Sequence, residues 1–258
     1  MPCYRCTSTI RRAVLSVARQ SWRPMELILV DDGSEDGTVE LLHVLRQELG
    51  AEWVRVIALN GNLGAASARN VGWDAAHGEF VAFLDADDTW HRRKLELQYK
   101  LMKERPTAAL SGHASARLND ADQQPEVHVE PGFTSVALRD LLIANRFTTP
   151  SAMVKRTVPH RFRATQRYME DHLLWMEIAA GGNLVLRLNA TLAFTFKPSY
   201  GSSGLSANLW QMEKAELGNY SLLAKHSHVS YLLLPFLWLY SLVKFCKRLI
   251  IVALRIRC

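Results

Sequence analysis

Three carboxylates, Asp85, Asp87 and Asp88, fall within four residues at the end of an apolar run over 79–84. The run is short, aromatic and preceded by Gly78, which reads as a buried strand and not as a helix. Anions this close repel one another, and burial sharpens the conflict. A hard divalent cation with oxygen ligands, Mg or Mn, would resolve it. A second acid cluster, Asp31-Asp32, ends the apolar run 26–30 and is followed by Gly33-Ser34. In open α/β sheets, ligands bind beyond the carboxyl ends of the strands, where both clusters fall. One cluster can hold a metal and the other can accept hydrogen bonds from a base or ribose. A phosphorylated, nucleotide-like ligand fits both. A lone Asp-x-Asp more often makes a solvated acidic turn, with Asp88 or Thr89 capping the next helix. Two such clusters in one layer of strands favour ligand binding.

The elements that must position these residues alternate. Thr7 or Ser8 can cap a helix with Ile10, Val14, Leu15 and Ala18 on one face, and Trp22-Arg23-Pro24 breaks it. A strand over 26–30, a helix over 38–49, a strand over 53–59, a loop over 60–64 and a small-residue helix over 65–77 lead to the strand that ends in Asp85. Strand–helix alternation with short links predicts a parallel sheet with right-handed crossovers and helices on both faces. Further on, a strand over 108–117, a polar loop over 119–131, a helix over 135–145, an extended segment over 148–154 and a strand or hairpin over 184–196 are expected. Glu170-Asp171 opens an amphipathic helix carrying Leu173, Leu174, Met176 and Ile178. Acids in a first helical turn suit its dipole, so this pair alone is a weak sign of chemistry.

A chain of 258 residues, 48% hydrophobic and 22% charged, belongs among globular proteins. The six cations beyond Glu216 account for the whole net charge of +6, since no acid follows that residue. This argues against a nucleic-acid partner and for a local anionic one. The apolar stretch 229–245, broken by Pro235, is short of the ~20 residues that span a bilayer. With Lys244, Arg248 and Arg255 at helical spacing, it reads as a cationic amphipathic helix on an anionic membrane surface, with packing on its own domain or a dimer mate as the alternative. The four cysteines read as free thiols in a reducing compartment, and no secretory leader is expected.

Several stretches taken together resemble the inverting family 2 glycosyltransferases of the nucleotide-diphospho-sugar transferase (GT-A) fold. They are Pro2-Cys3-Tyr4, Val17-Ala18-Arg19-Gln20-Ser21-Trp22, the run from Glu26 into Asp31-Asp32-Gly33-Ser34, Gly64 with Ala68-Arg69-Asn70-Val71-Gly72, Phe83-Leu84-Asp85-Ala86-Asp87-Asp88, and Met169-Glu170-Asp171 with Leu174-Trp175. The resemblance implies that Pro2, Tyr4, Asp31 and Asp32 hold the nucleoside, with either aspartate accepting the N–H of a uracil-like base. Arg69 and Asp85 would lie near the donor, and Asp87 with Asp85 would bind Mg or Mn. Asp171 would be the base, with Glu170 beside it and His172 a lesser competitor. Lys197 opens a loop, 197–206, that would close over the diphosphate. Family members open with an apolar strand before the Pro-x-Tyr turn, so the first strand is expected to be missing here. Residues 1–110 would bind the nucleotide sugar, 111–206 the acceptor, and 207–258 a membrane. The implied reaction moves a sugar from a UDP-sugar to a lipid-linked saccharide in bacterial surface-polysaccharide synthesis, at the cytoplasmic face of the plasma membrane. A catalytically silent scaffold and a sugar nucleotidyltransferase are the alternatives, and a homo-oligomer is left open.

Overall fold

The computed structural model describes residues 1–119, 131–196 and 208–255. β1 (Pro2–Cys3), β2 (Leu27–Asp31) and β3 (Val54–Ala58) form a parallel sheet in that order. α1 (Ile10–Ala18) and α2 (Thr38–Leu49) make the crossovers, and α3 (Ala65–Asp74) follows β3. Every residue of β2 is buried, as a strand covered on both faces must be. A two-residue β1 stands where an entire strand was expected to be missing. Pro2 pairs with Val30 and Cys3 with Asp31, and the Met1 amine donates to the Ile28 carbonyl at 2.9 Å.

The second sheet is built from β4 (Phe80–Ala82), β5 (Thr89–Trp90), β6 (Ala108–Arg117), β7 (Phe133–Ser135), β8 (Met153–Lys155) and β9 (Leu184–Thr195). Its order is β4-β8-β6-β9-β5, with β7 added beside β9. β6 and β9 run parallel, and the remaining pairs are antiparallel. α4 (Lys94–Glu104), α5 (Leu138–Ile143), α6 (Glu170–Ala180), α7 (Leu209–Lys225) and α8 (Leu234–Arg255) complete the fold. One apolar core lies under α1, α2, α4 and the sheets; a second lies among α5, α6, α7 and α8 with Trp73, Phe83 and Phe162. The expected α/β fold with helices against the sheet is present.

The two sheets do not join. A groove of about 460 Å³ separates β2 from β4, lined by Leu27, Ile28, Phe80, Val81, Trp90 and Met153 among others. β4 is therefore an edge strand, half-buried and only three residues long, where a longer buried strand was expected. Asp88 and Thr89 do not cap the next helix. They lead into β5, and α4 begins only at Lys94.

In the C-terminal segment, the alternative of packing on its own domain holds for Lys244 and Arg248. α8 lies on α7, and Lys244 and Arg248 turn inward, whereas Lys247 is exposed. Lys244 pairs with Glu216 and donates to the Ile143 carbonyl at 3.1 Å, while Arg248 pairs with Glu216 at 2.7 Å and Glu213 at 3.4 Å. Glu213 and Glu216 are buried on α7 and hold Lys244 and Arg248 against the domain. The outward line of the segment is apolar apart from exposed Lys247: Leu232, Phe236, Leu239, Val243 and Ile250 are 59–84% exposed. No helix among the described residues is long and apolar enough to cross a membrane.

Candidate active site

β2 delivers Asp31 and Asp32 to the C-terminal edge of the first sheet, and their surroundings differ. Asp32 accepts from Leu63 N at 2.7 Å and Gly64 N at 2.8 Å, one through each carboxylate oxygen. It holds the 60–64 loop at the start of α3. Gly33, at φ +72°, makes this close packing feasible, because a Cβ there would meet the Gly61 carbonyl carbon at 2.5 Å. Asp31 accepts from Ser34 N at 3.0 Å through Oδ2 only. Its Oδ1 is buried with no hydrogen-bond partner among the described residues. An acceptor left so is costly unless a ligand satisfies it. The alternatives left open by the sequence therefore separate: Asp32 shapes the site, and Asp31 has an oxygen to offer a ligand. Pro2 and Cys3 flank Asp31 across the β1–β2 ladder, and Tyr4 follows with 43% of its surface exposed.

The other acids meet at Arg69. This residue, on α3, is 7% exposed and bridges two elements far apart in sequence. Its guanidinium donates to Asp85 Oδ1 at 2.7 Å and to Glu170 Oε1 at 2.8 Å. Asp85 closes the β4 segment and Glu170 opens α6, so the arginine draws the two acidic motifs into one site. Burial opposes the charge on Arg69, but Asp85 and Glu170 override it and hold its pKa above the ordinary value. Burial pushes the Glu170 carboxyl up to about 7, against the pull of Arg69 and with an added push from Asp171. Glu170 thus changes charge near neutrality, in the range where acid–base groups work.

Asp171 lies on the next position of α6, half-buried. Its Oδ2 accepts from Thr149 Oγ1 at 3.2 Å and Asn145 Nδ2 at 3.4 Å, which orient the carboxylate toward the 145–149 segment. His172, next on α6, is turned away from Asp171's neighbours at 145–149. It is fully buried, its Nε2 lies 2.8 Å from the Leu141 carbonyl, and burial lowers its pKa.

Asp87 is half-buried beside Asp85. Among the described residues no group of three His, Cys, Asp or Glu side chains forms a ready metal cage. Asp85 and Asp87 nonetheless suit Mg or Mn, which take few carboxylates and complete their shells with water and phosphate oxygens. A residue unmarked by sequence reasoning is Arg12 of α1. It donates to the Asp87 carbonyl at 3.0 Å and lies 3.6 Å from the centroid of the Phe196 ring. A signal existed, because the first turn of a crossover helix starts at the same sheet edge as the strand tips. Lys197 and the 197–206 loop lie outside the described residues.

A parallel βα layer ending in Asp31-Asp32, a second sheet whose edge strand β4 leads to Asp85 and Asp87, and an acid pair opening a helix together have the nucleotide-diphospho-sugar transferase architecture. Residues 1–162 match the family model for glycosyl transferase family 2, and the chain belongs to that family. TuaG of Bacillus subtilis, named for teichuronic acid biosynthesis, is 31% identical over 216 residues, covering 83% of this chain and 82% of its own. WfgD of Escherichia coli, a UDP-Glc:alpha-D-GlcNAc-diphosphoundecaprenol beta-1,3-glucosyltransferase, is 29% identical over 184 residues, covering 71% and 70%. The structure of S. aureus TarS 1-349 in complex with UDP-GlcNAc superposes with a TM-score of 0.65 at 19% identity, covering 96% of this chain and 79% of that one, which shows a common fold.

Proposed function

We propose that this glycosyltransferase moves a sugar, with inversion, from a UDP-sugar to a lipid-linked saccharide at the cytoplasmic face of the plasma membrane. The observation that carries the reading is the Asp85–Arg69–Glu170 bridge, which ties the acids at the sheet edge to those opening α6. In this reading Asp31 Oδ1 accepts the base N–H, with Pro2 and Tyr4 beside the nucleoside. Asp87 and Asp85 would hold Mg or Mn, which when bound neutralises charge on the leaving diphosphate. Arg12 adds a cation on the same side. The acceptor oxygen bonds to the sugar C1 as the C1–O bond to the diphosphate breaks. Its proton passes to Asp171, held in place by Thr149 and Asn145. Glu170, gripped by Arg69, sets the field beside that base.

The names of WfgD and TuaG support the lipid-linked acceptor and the polysaccharide setting. The outward stripe on α8 supports contact with a bilayer, through apolar side chains and not through Lys244 and Arg248. Incubation with labelled UDP-sugars, Mn and a diphospholipid-linked saccharide tests the reading. Transfer should fall ~10²–10⁴-fold in Asp171→Asn, the range a positioned base contributes, and should be lost in Asp87→Ala. Full transfer by either variant would refute its assigned role.

A further inference from the structure

The residue before the acidic pair is strained. Met169 holds φ +54°, a left-handed conformation that costs a non-glycine residue ~1–2 kcal/mol. α6 starts at the next position, and Leu173 N donates to the Met169 carbonyl at 3.1 Å, closing its first turn. The direction in which Glu170 and Asp171 leave the turn is therefore set by this backbone. Such a conformer persists only where the surroundings over-determine it.

α7 supplies those surroundings. Asn219 is 1% exposed, and its Nδ2 donates to the Met169 carbonyl at 3.0 Å. Its Oδ1 accepts from Gln166 Nε2 at 2.8 Å, and that same nitrogen donates to the Tyr168 carbonyl at 2.8 Å. Two amides thus grip the carbonyls on both sides of the Met169 nitrogen. α7 is itself anchored on either flank of Asn219. The Tyr220 hydroxyl donates to the Leu142 carbonyl at 2.9 Å, and Glu216 takes Lys244 and Arg248 from α8. A side chain that only filled space would not need both a donor and an acceptor matched to one left-handed turn.

We propose that Asn219, with Gln166 as its partner, is a positioning residue for the acidic pair: its amide locks the Met169 turn and so aims the Asp171 carboxylate at the acceptor. It acts through Met169 and not on the reacting atoms. The inference rests on Asp171 being the base.

The test uses Asn219→Leu, which keeps the volume and removes both hydrogen bonds, and Asn219→Asp, which keeps the acceptor and removes the donor. Each should lower transfer kcat ~10-fold, as expected for one lost orienting bond, with the KM for the UDP-sugar within about twofold. The Leu173 amide should exchange with solvent faster, since it shares the Met169 carbonyl. Adding Met169→Gly removes the cost of the left-handed turn and should return kcat to within about threefold of wild type. If Asn219→Leu does not fold, Asn219→Asp carries the measurement. Wild-type kcat together with wild-type Leu173 exchange would overturn the proposal, as would a kcat loss that Met169→Gly leaves untouched. Full activity in Asp171→Asn would instead remove the base assignment, while Leu173 exchange still decides whether Asn219 holds the turn.

Discussion

At Asp32 both carboxylate oxygens accept backbone N–H groups, whereas Asp31 keeps a buried oxygen without a partner among the described residues. Substitution should separate the two. Asp32→Asn loses at least one charge-assisted bond and should cost about 1.5–3 kcal/mol in chemical denaturation. Asp31→Asn should leave stability nearly unchanged and weaken UDP binding in calorimetry. Equal effects at both positions would contradict this division. From sequence alone the neighbours were interchangeable, because both follow the same strand and precede the same Gly33. Only the path of the 60–64 loop, which returns over Asp32, distinguishes them. The family resemblance singles out Arg69, but not its second partner. Glu170 lies 101 positions away, and no local pattern reports such a pairing.

At the scale of elements, helix positions read well from periodicity, and the end of β2 reads well from its acids. α2, α6 and β9 form close to where the spacing puts them. β4 is shorter than its apolar run because the run continues past the strand: Phe83 N donates to the Ala152 carbonyl only at 3.5 Å, and Phe83 and Leu84 enter the core. For α8 the sequence leaves lipid contact and packing on the domain both open, because a cation at helical spacing looks the same whether it meets lipid or a buried acid. Glu216 decides this case. Removing one member of a buried ion cluster costs about 3–5 kcal/mol, so Glu216→Ala should strongly lower the denaturation midpoint while α6 and the sheet stay intact in the folded fraction. A second element-level expectation concerns Lys94, at the start of α4. Its side-chain nitrogen is fully buried over the Trp90 ring, without a hydrogen-bond partner among the described residues, and burial drives its pKa well down. Lys94→Met keeps the stem and removes the polar head, and should raise the melting temperature. A lower melting temperature would show that the ammonium stabilises the fold.

For the whole molecule, buried titrating groups set the response to pH. Burial holds the His113 pKa at about 3 and lowers that of His172, so both bind protons more readily when unfolded. Glu216 is held at about 2, where Lys244 and Arg248 outweigh the burial that would raise it. These groups share one sign: the unfolded chain takes up more protons, and stability falls as pH drops from ~6.5 toward 3. Glu170, raised to about 7, works the other way and favours the fold less as pH rises from ~4.5 through 7. Denaturation midpoints should therefore drop steeply in acid, with a shallower slope near neutrality that Glu170→Gln abolishes. The apolar stripe on α8 adds a second global property. Flotation with phosphatidylcholine–phosphatidylglycerol vesicles should carry the wild-type chain upward, and Phe236→Glu with Leu239→Glu should leave it at the bottom. The trench between the sheets matters here too. Apolar side chains of β2 and β4 line its walls, and β4 presents an edge to it. Such a seam is a template on which a like chain can zip. Light scattering should climb with concentration, and the infrared amide band should gain intermolecular β-structure before the helices melt.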